Sequence, residues 1–156
     1  MARLAPTHVV ALADPADDPE TGLTQIAEIA AEHKVLLESI RAKHETSQTP
    51  IVLSGCIGPR GDAYRPSTLM SEDEAERYHR AQVAAFADSS ADMVSALTMS
   101  YAEEAIGVAR AAREAAIPIV VSFTVETDGR LPLGQTLPAA IQQVDLATAS
   151  YPSYYM

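Results

Sequence analysis

The chain of 156 residues contains one cysteine, Cys56. No disulfide can form within one copy, and a four-ligand zinc site built on cysteines is excluded. It has no apolar run near the ~18 residues that a membrane-spanning helix requires. The start, Met1-Ala2-Arg3-Leu4-Ala5-Pro6, carries a single charge with no long apolar stretch behind it, unlike a secretory signal. The cytoplasm is therefore the expected location. Basic residues are also few: 11 Lys and Arg stand against 21 Asp and Glu, a formal charge of -10 with His neutral. A field of that sign repels phosphate backbones and anionic lipid, so neither nucleic acid nor a membrane is an expected partner.

What is present is enough apolar material for one globular domain, 47% of residues, without disulfide or metal staples. Residues 1–23 read as a poorly defined leader, because a short strand-like word, His8-Val9-Val10-Ala11-Leu12, runs into a stretch rich in Asp and Pro. From Ile26 to about Lys43, apolar positions recur at helical spacing. A short strand is expected over 51–54, stopping at Gly55. Ser71 and Glu74 have the spacing of a capping box and open a helix running to about Asp88. Residues 92–98 read as a strand, and Ser100-Tyr101-Ala102-Glu103 as a second capping box whose helix ends before Pro118. Residues 119–124, β-branched and uncharged, read as a strand covered on both faces. Pro138 opens a last helix to about Ala147, and the tail from Tyr151 reads as the approach to another strand. This alternation implies α/β architecture, with parallel βα units joined by right-handed crossovers. A complete (β/α)8 barrel needs about 250 residues, so the chain corresponds to part of one.

In such folds, ligands are met by the loops that leave the carboxyl ends of strands. Glycine and charge concentrate there, in Gly55-Cys56-Ile57-Gly58-Pro59-Arg60-Gly61-Asp62, in Thr98-Met99-Ser100 and in Glu126-Thr127-Asp128-Gly129-Arg130. The first of these lacks the Lys-Ser/Thr end of a phosphate loop and the spacing of a dinucleotide fingerprint, so turn geometry is the better reading of its glycines. Cys56 at a strand end has the placement of a nucleophile, but a buried small apolar residue is the better reading. His33 and His79 fall on apolar helix stripes, where a hydrogen-bonded core histidine is favoured over a metal ligand. Glu126, Asp128 and Arg130 suit either charge-assisted binding of an amino-acid-like substrate or an ordinary Asp-Gly turn.

Three words taken together, residues 55–64, Glu76-Arg77-Tyr78-His79-Arg80-Ala81-Gln82 and residues 122–132, resemble the homocysteine S-methyltransferase family. The likeness runs from about Ala27 to Met156 and leaves out residues 1–20, so residues 24–156 are expected to form a partial homocysteine-binding domain. The resemblance implies a (β/α)8 barrel that holds homocysteine as a zinc-bound thiolate and methylates it from an activated donor to give methionine. A free thiol, titrating near ~8.5, is mostly protonated at neutral pH, whereas a metal-bound thiol is not. Three cysteine thiolates bind zinc in the family, and this chain lacks all three. Cys56 matches a position that is not a ligand. A family glutamate that holds the substrate amine is replaced by Leu97, while the following Thr98 is retained.

No catalytic and no metal residue is therefore assigned. Thr98, Ser122, Thr124, Glu126 and Asp128 are the candidate substrate-side residues, chosen by their place after a strand. The implied partners are homocysteine and a methyl donor. Open sheet edges favour self-association or a complementary chain over a clean monomer, which supplies the alternative of a non-catalytic truncated or split-gene fragment.

Overall fold

The computed structural model describes residues 7–10 and 35–156. Four strands, β1 (Thr7–Val10), β2 (Leu53–Ile57), β3 (Met93–Met99) and β4 (Ile119–Phe123), lie side by side in chain order, every pair parallel. Between and after them run α1 (residues 35–44), α2 (Glu72–Ala87), α3 (Ala102–Glu114) and α4 (Leu137–Thr148). Each crossover adds the next strand on the same side and the order never reverses. This is the progression of a barrel wall rather than of a doubly wound sheet with a switch point. None of the described helices is long and apolar enough to cross a membrane.

Side chains of one parity on each strand make the core. Leu53 and Ile57, Val94 and Ala96, and Ile119, Val121 and Phe123 join Val83, Phe86, Ile106, Ala109 and Val144 from the helices. Nine of the thirteen residues of α3 are buried, because this helix lies between α2 and α4. Its alanine-rich sequence suits that place, since small side chains let neighbouring helix backbones come close. The other parity carries the serines Ser54, Ser95 and Ser122 beside Met93, Leu97 and Val120. Ser54 and Ser95, on adjacent strands, are joined through their hydroxyls at 2.6 Å.

The capping box at Ser71 is formed. The hydroxyl accepts from the Glu74 amide, and the Glu74 carboxylate accepts from the Ser71 amide at 2.8 Å. These bonds from Ser71 hold the Glu74 carboxyl below its ordinary pKa. The second expected capping box is not formed. Tyr101, not Ser100, is the N-cap of α3 and makes no side-chain capping bond, because its extended backbone moves the helix start one residue on and leaves the Ser100 hydroxyl buried.

Strand β2 also departs from expectation, running through Gly55 to Ile57 instead of stopping at the glycine. A Cβ at Gly55 would lie 2.4 Å from the Phe86 ring. The glycine therefore admits α2 onto the strand rather than ending it. Within the segment read as a leader, Thr7–Val10 forms a strand paired with β2. Residues 11–34, which include His33 and the first part of the expected first helix, lie outside the described residues. At the other end the tail behaves as expected. The Met156 amide donates to Val121 O at 2.9 Å, and Tyr155 bridges Val121 in parallel, so a fifth strand begins on the free side of β4. The Tyr155 ring stacks on Phe123 at 6.3 Å, and its hydroxyl donates to Asp145 of α4 at 2.7 Å. Burial and that carboxylate push the Tyr155 phenol well above its ordinary pKa.

Candidate functional site

The carboxyl ends of β2, β3 and β4 open onto three connections, residues 58–71, 100–101 and 124–136. β3 ends irregularly. Its register with β4 passes from Ala96↔Val121 to Met99↔Phe123, so an extra residue is accommodated across Leu97 and Thr98. Thr98 takes a φ of 56, a region that non-glycine residues rarely adopt. Its hydroxyl donates to Leu97 O at 2.7 Å. The bulge turns Met99 back into the core and leaves Leu97 and Thr98 half-buried.

Thr124 follows directly. Its amide donates to Met99 O at 2.9 Å, placing it beside the residue that precedes Ser100. The hydroxyls of Ser100 and Thr124 are both buried without a hydrogen-bond partner among the described residues. An unpaired buried hydroxyl costs about 1–3 kcal/mol, so each of the two is a group that a polar atom from outside the described residues would satisfy.

Of the residues expected at the site, Thr98, Ser122 and Thr124 come together here, all half-buried. Glu126 and Asp128 stand further out, on an exposed turn. The Glu126 amide donates to Arg130 O at 2.7 Å, and Gly129, at φ 77, donates to Glu126 O at 2.9 Å. Asp128 accepts from the Arg130 amide at 3.0 Å, as an Asp-Gly turn requires.

Behind the β2 connection lies a buried polar network. Glu104, in the first turn of α3, accepts from the Arg60 amide at 2.6 Å and pairs with His79 Nε2 at 3.1 Å. His79 Nδ1 meets Gln82 Oε1 at 3.3 Å. Both the His79 and Glu104 side chains are fully buried. Tyr101 Oη accepts from the Met70 amide at 3.0 Å. Its phenol is pushed up to about 12, chiefly by burial, with the Met70 amide pulling it down and the Glu104 carboxylate pushing it up. His79 is thus the hydrogen-bonded core histidine expected from its stripe, edge-on to the Tyr78 ring at 4.9 Å. Glu104 carries no local signal of its own in the sequence, since the capping spacing falls on its neighbour Glu103. The available signal was His79 itself, since a histidine on an apolar stripe needs a polar partner from another element.

Cys56 is buried in the middle of the sheet, as expected for a small apolar residue, and burial raises its thiol pKa. Its alkylation by iodoacetamide is expected to be slow in the native protein and to reach the rate of a free thiol in denaturant. Equal rates in the two conditions would contradict the burial.

No group of three or more His, Cys, Asp or Glu suited to holding a metal occurs among the described residues. A three-thiolate zinc site does not fit a chain with one cysteine.

A parallel βα wall whose strand order never reverses defines a barrel-type α/β protein. The profile of the homocysteine S-methyltransferase family matches residues 12–151, and the chain belongs to that family. The match begins ahead of Ala27, inside the segment read as a leader. Among solved structures, the metallated form of the Escherichia coli homocysteine methyltransferase MmuM is similar, with a TM-score of 0.73 and 20% identity over 93% of this chain. The apo form gives 0.71 and 20% over 95% of this chain, and the oxidized form 0.66 and 21% over 89%. The chain spans about half the length of these structures, 54%, 54% and 49% respectively, so it has the fold of part of that barrel. No curated protein matches it.

Proposed function

We propose that this chain is a partial homocysteine S-methyltransferase that supplies one side of the homocysteine pocket. In the complete form, a methyl group passes from an activated donor to the homocysteine sulfur, giving methionine. Thr98, Ser122 and Thr124 are the substrate-side residues, with Glu126 and Asp128 on the rim. The observation that carries this reading is the pair of buried, unpartnered hydroxyls, Ser100 and Thr124, at the ligand end of a chain matched by the family over residues 12–151. Hydroxyls in that position suit the amino and carboxylate groups of an amino acid, to which they can donate or accept. Zinc assigned to the family would need thiolates from outside this chain, because Cys56 is its one cysteine.

The purified chain is expected to form no methionine from homocysteine and S-methylmethionine, with or without added zinc. Zinc-dependent methionine formation by the chain alone would overturn its assignment as partial.

A second reading, a non-catalytic fragment that works by assembly with another chain, is favoured by the free flank of the sheet. There Leu137, Pro138, Ile141 and Leu146 of α4 line an apolar groove, with Leu146 79% exposed. Native mass spectrometry of the protein from its own source separates the two readings. A heavier species carrying zinc indicates a working methyltransferase assembly, and a zinc-free species at 16.6 kDa or a multiple of it indicates a non-catalytic fragment.

A further inference from the structure

The connection after β2 is long and mostly exposed, with Tyr64 at 65% and Leu69 at 52%. Loops of this length are usually mobile unless something holds them. Among the described residues, two hydrogen bonds from its backbone ahead of the Ser71 cap tie it to another element, and both go to the start of α3, its N-cap and first turn. Glu104 takes the Arg60 amide near the start, and Tyr101 takes the Met70 amide at the end. Glu104 is in turn braced by His79 of α2, while the Arg60 guanidinium lies over the Tyr78 ring at 5.3 Å. Between the two ends, the Asp62 carboxylate accepts from the amides of Tyr64 and Arg65, which shapes the middle locally without tying it to the body of the fold.

We propose that Glu104 and Tyr101 are positioning residues that pin residues 60 and 70 of this strap to the first turn of α3, leaving residues 61–69 as the only part free to move over the ligand end. The bulged end of β3 and the unpartnered Ser100 hydroxyl run directly into the start of α3, so the turn that sets the strap is joined to them without an intervening loop. A shift of that turn on ligand binding moves both pins together. That the strap borders a substrate pocket rests on the homocysteine reading above; the pins themselves do not.

Amide hydrogen exchange of the full chain, read residue by residue by NMR, tests the pins. In the unsubstituted protein, Arg60 and Met70 are expected to exchange at least roughly tenfold more slowly than residues 61–63 and 67–69. Tyr101→Phe, which removes the hydroxyl that accepts from Met70, abolishes the protection of Met70 and spares Arg60, whose acceptor is the Glu104 carboxylate. Glu104→Leu abolishes protection at Arg60, while Glu104→Gln, which keeps a carbonyl oxygen there, restores it. This rescue is not expected of a residue that only fills space. Unchanged protection of Met70 in Tyr101→Phe, or of Arg60 in a folded Glu104→Leu protein, overturns the proposal. If Glu104→Leu does not fold, Tyr101→Phe decides. Homocysteine itself is the probe for the pocket. It is expected to shift the Thr98 and Thr124 amides of the unsubstituted protein, and the absence of any shift counts against the homocysteine reading alone.

Discussion

Gly107→Val is expected to destabilise the protein by about 3 kcal/mol, read as a lowered midpoint in guanidinium denaturation followed by circular dichroism. Gly107 sits mid-helix in α3, where glycine is normally a weakness, and on an exposed helix Gly→Ala would gain about 1 kcal/mol. Here the sign reverses. A Cβ at this position would lie 2.4 Å from Ala75 Cβ, 2.5 Å from the Glu76 amide nitrogen and 2.7 Å from the Ala75 carbonyl carbon. Two of these three atoms are backbone, so no rotamer change relieves the contact and α2 must move away from α3. Overpacking of this kind costs about 1–3 kcal/mol, which exceeds the gain in helix propensity even for alanine. The β-branched valine adds two methyl groups on that Cβ in the same crowded space. A raised midpoint for Gly107→Ala would show that the two helices separate easily, and the tight α2–α3 contact would lose its structural meaning.

His79→Leu is expected to cost roughly 3–5 kcal/mol, because it leaves the Glu104 carboxylate buried without its histidine partner. Both side chains are at 0% exposure, and Glu104 Oε2 already has no hydrogen-bond partner among the described residues. The carboxylate then keeps the Arg60 amide and its interaction with the Tyr101 hydroxyl. The double variant His79→Leu/Glu104→Leu should recover part of the loss, since removing both members of a buried polar pair is less costly than orphaning one. Recovery stays incomplete because the Arg60 amide loses its acceptor. Denaturation midpoints of the two single variants and the double variant give the coupling directly. Additive losses would mean that the 3.1 Å contact contributes no coupling energy.

Much of the wall was legible along the chain because local rules govern it. The β-branched word at residues 119–124 became β4 (Ile119–Phe123), and the Ser71-to-Glu74 spacing became a formed capping box. These signals depend on near neighbours in sequence. Two local rules failed where a distant residue intervened. Gly55 reads as a stop, yet its missing Cβ is what Phe86, 31 positions later, requires. Ser100 and Glu103 have capping spacing, but the extended backbone at Tyr101 begins the helix later, and Tyr101 serves the Met70 amide instead.

The site divides in the same way. Placement near strand ends selected Thr98, Ser122 and Thr124 as candidates. The structure puts Thr98 and Ser122 at the ends of β3 and β4 and Thr124 directly after β4, because a parallel βα wall puts all its strand ends on one side. The same rule did not separate them from Glu126 and Asp128, whose hydrogen bonds close a turn on the exposed rim. The Glu104 network was not legible. Its members lie 44 residues apart at Arg60 and Glu104, and 25 apart at His79 and Glu104.

The sequence alone determined the alternation of parallel strands and helices, the family, and the lack of a thiolate set for zinc, since each depends on residue type, period or a matched word. Only the tertiary structure decided which hydroxyls are left unpaired, why Gly55 and Gly107 are glycines, and how one turn of α3 holds a distant loop. Those properties belong to contacts between segments far apart in the chain, and no local pattern encodes which segments will meet.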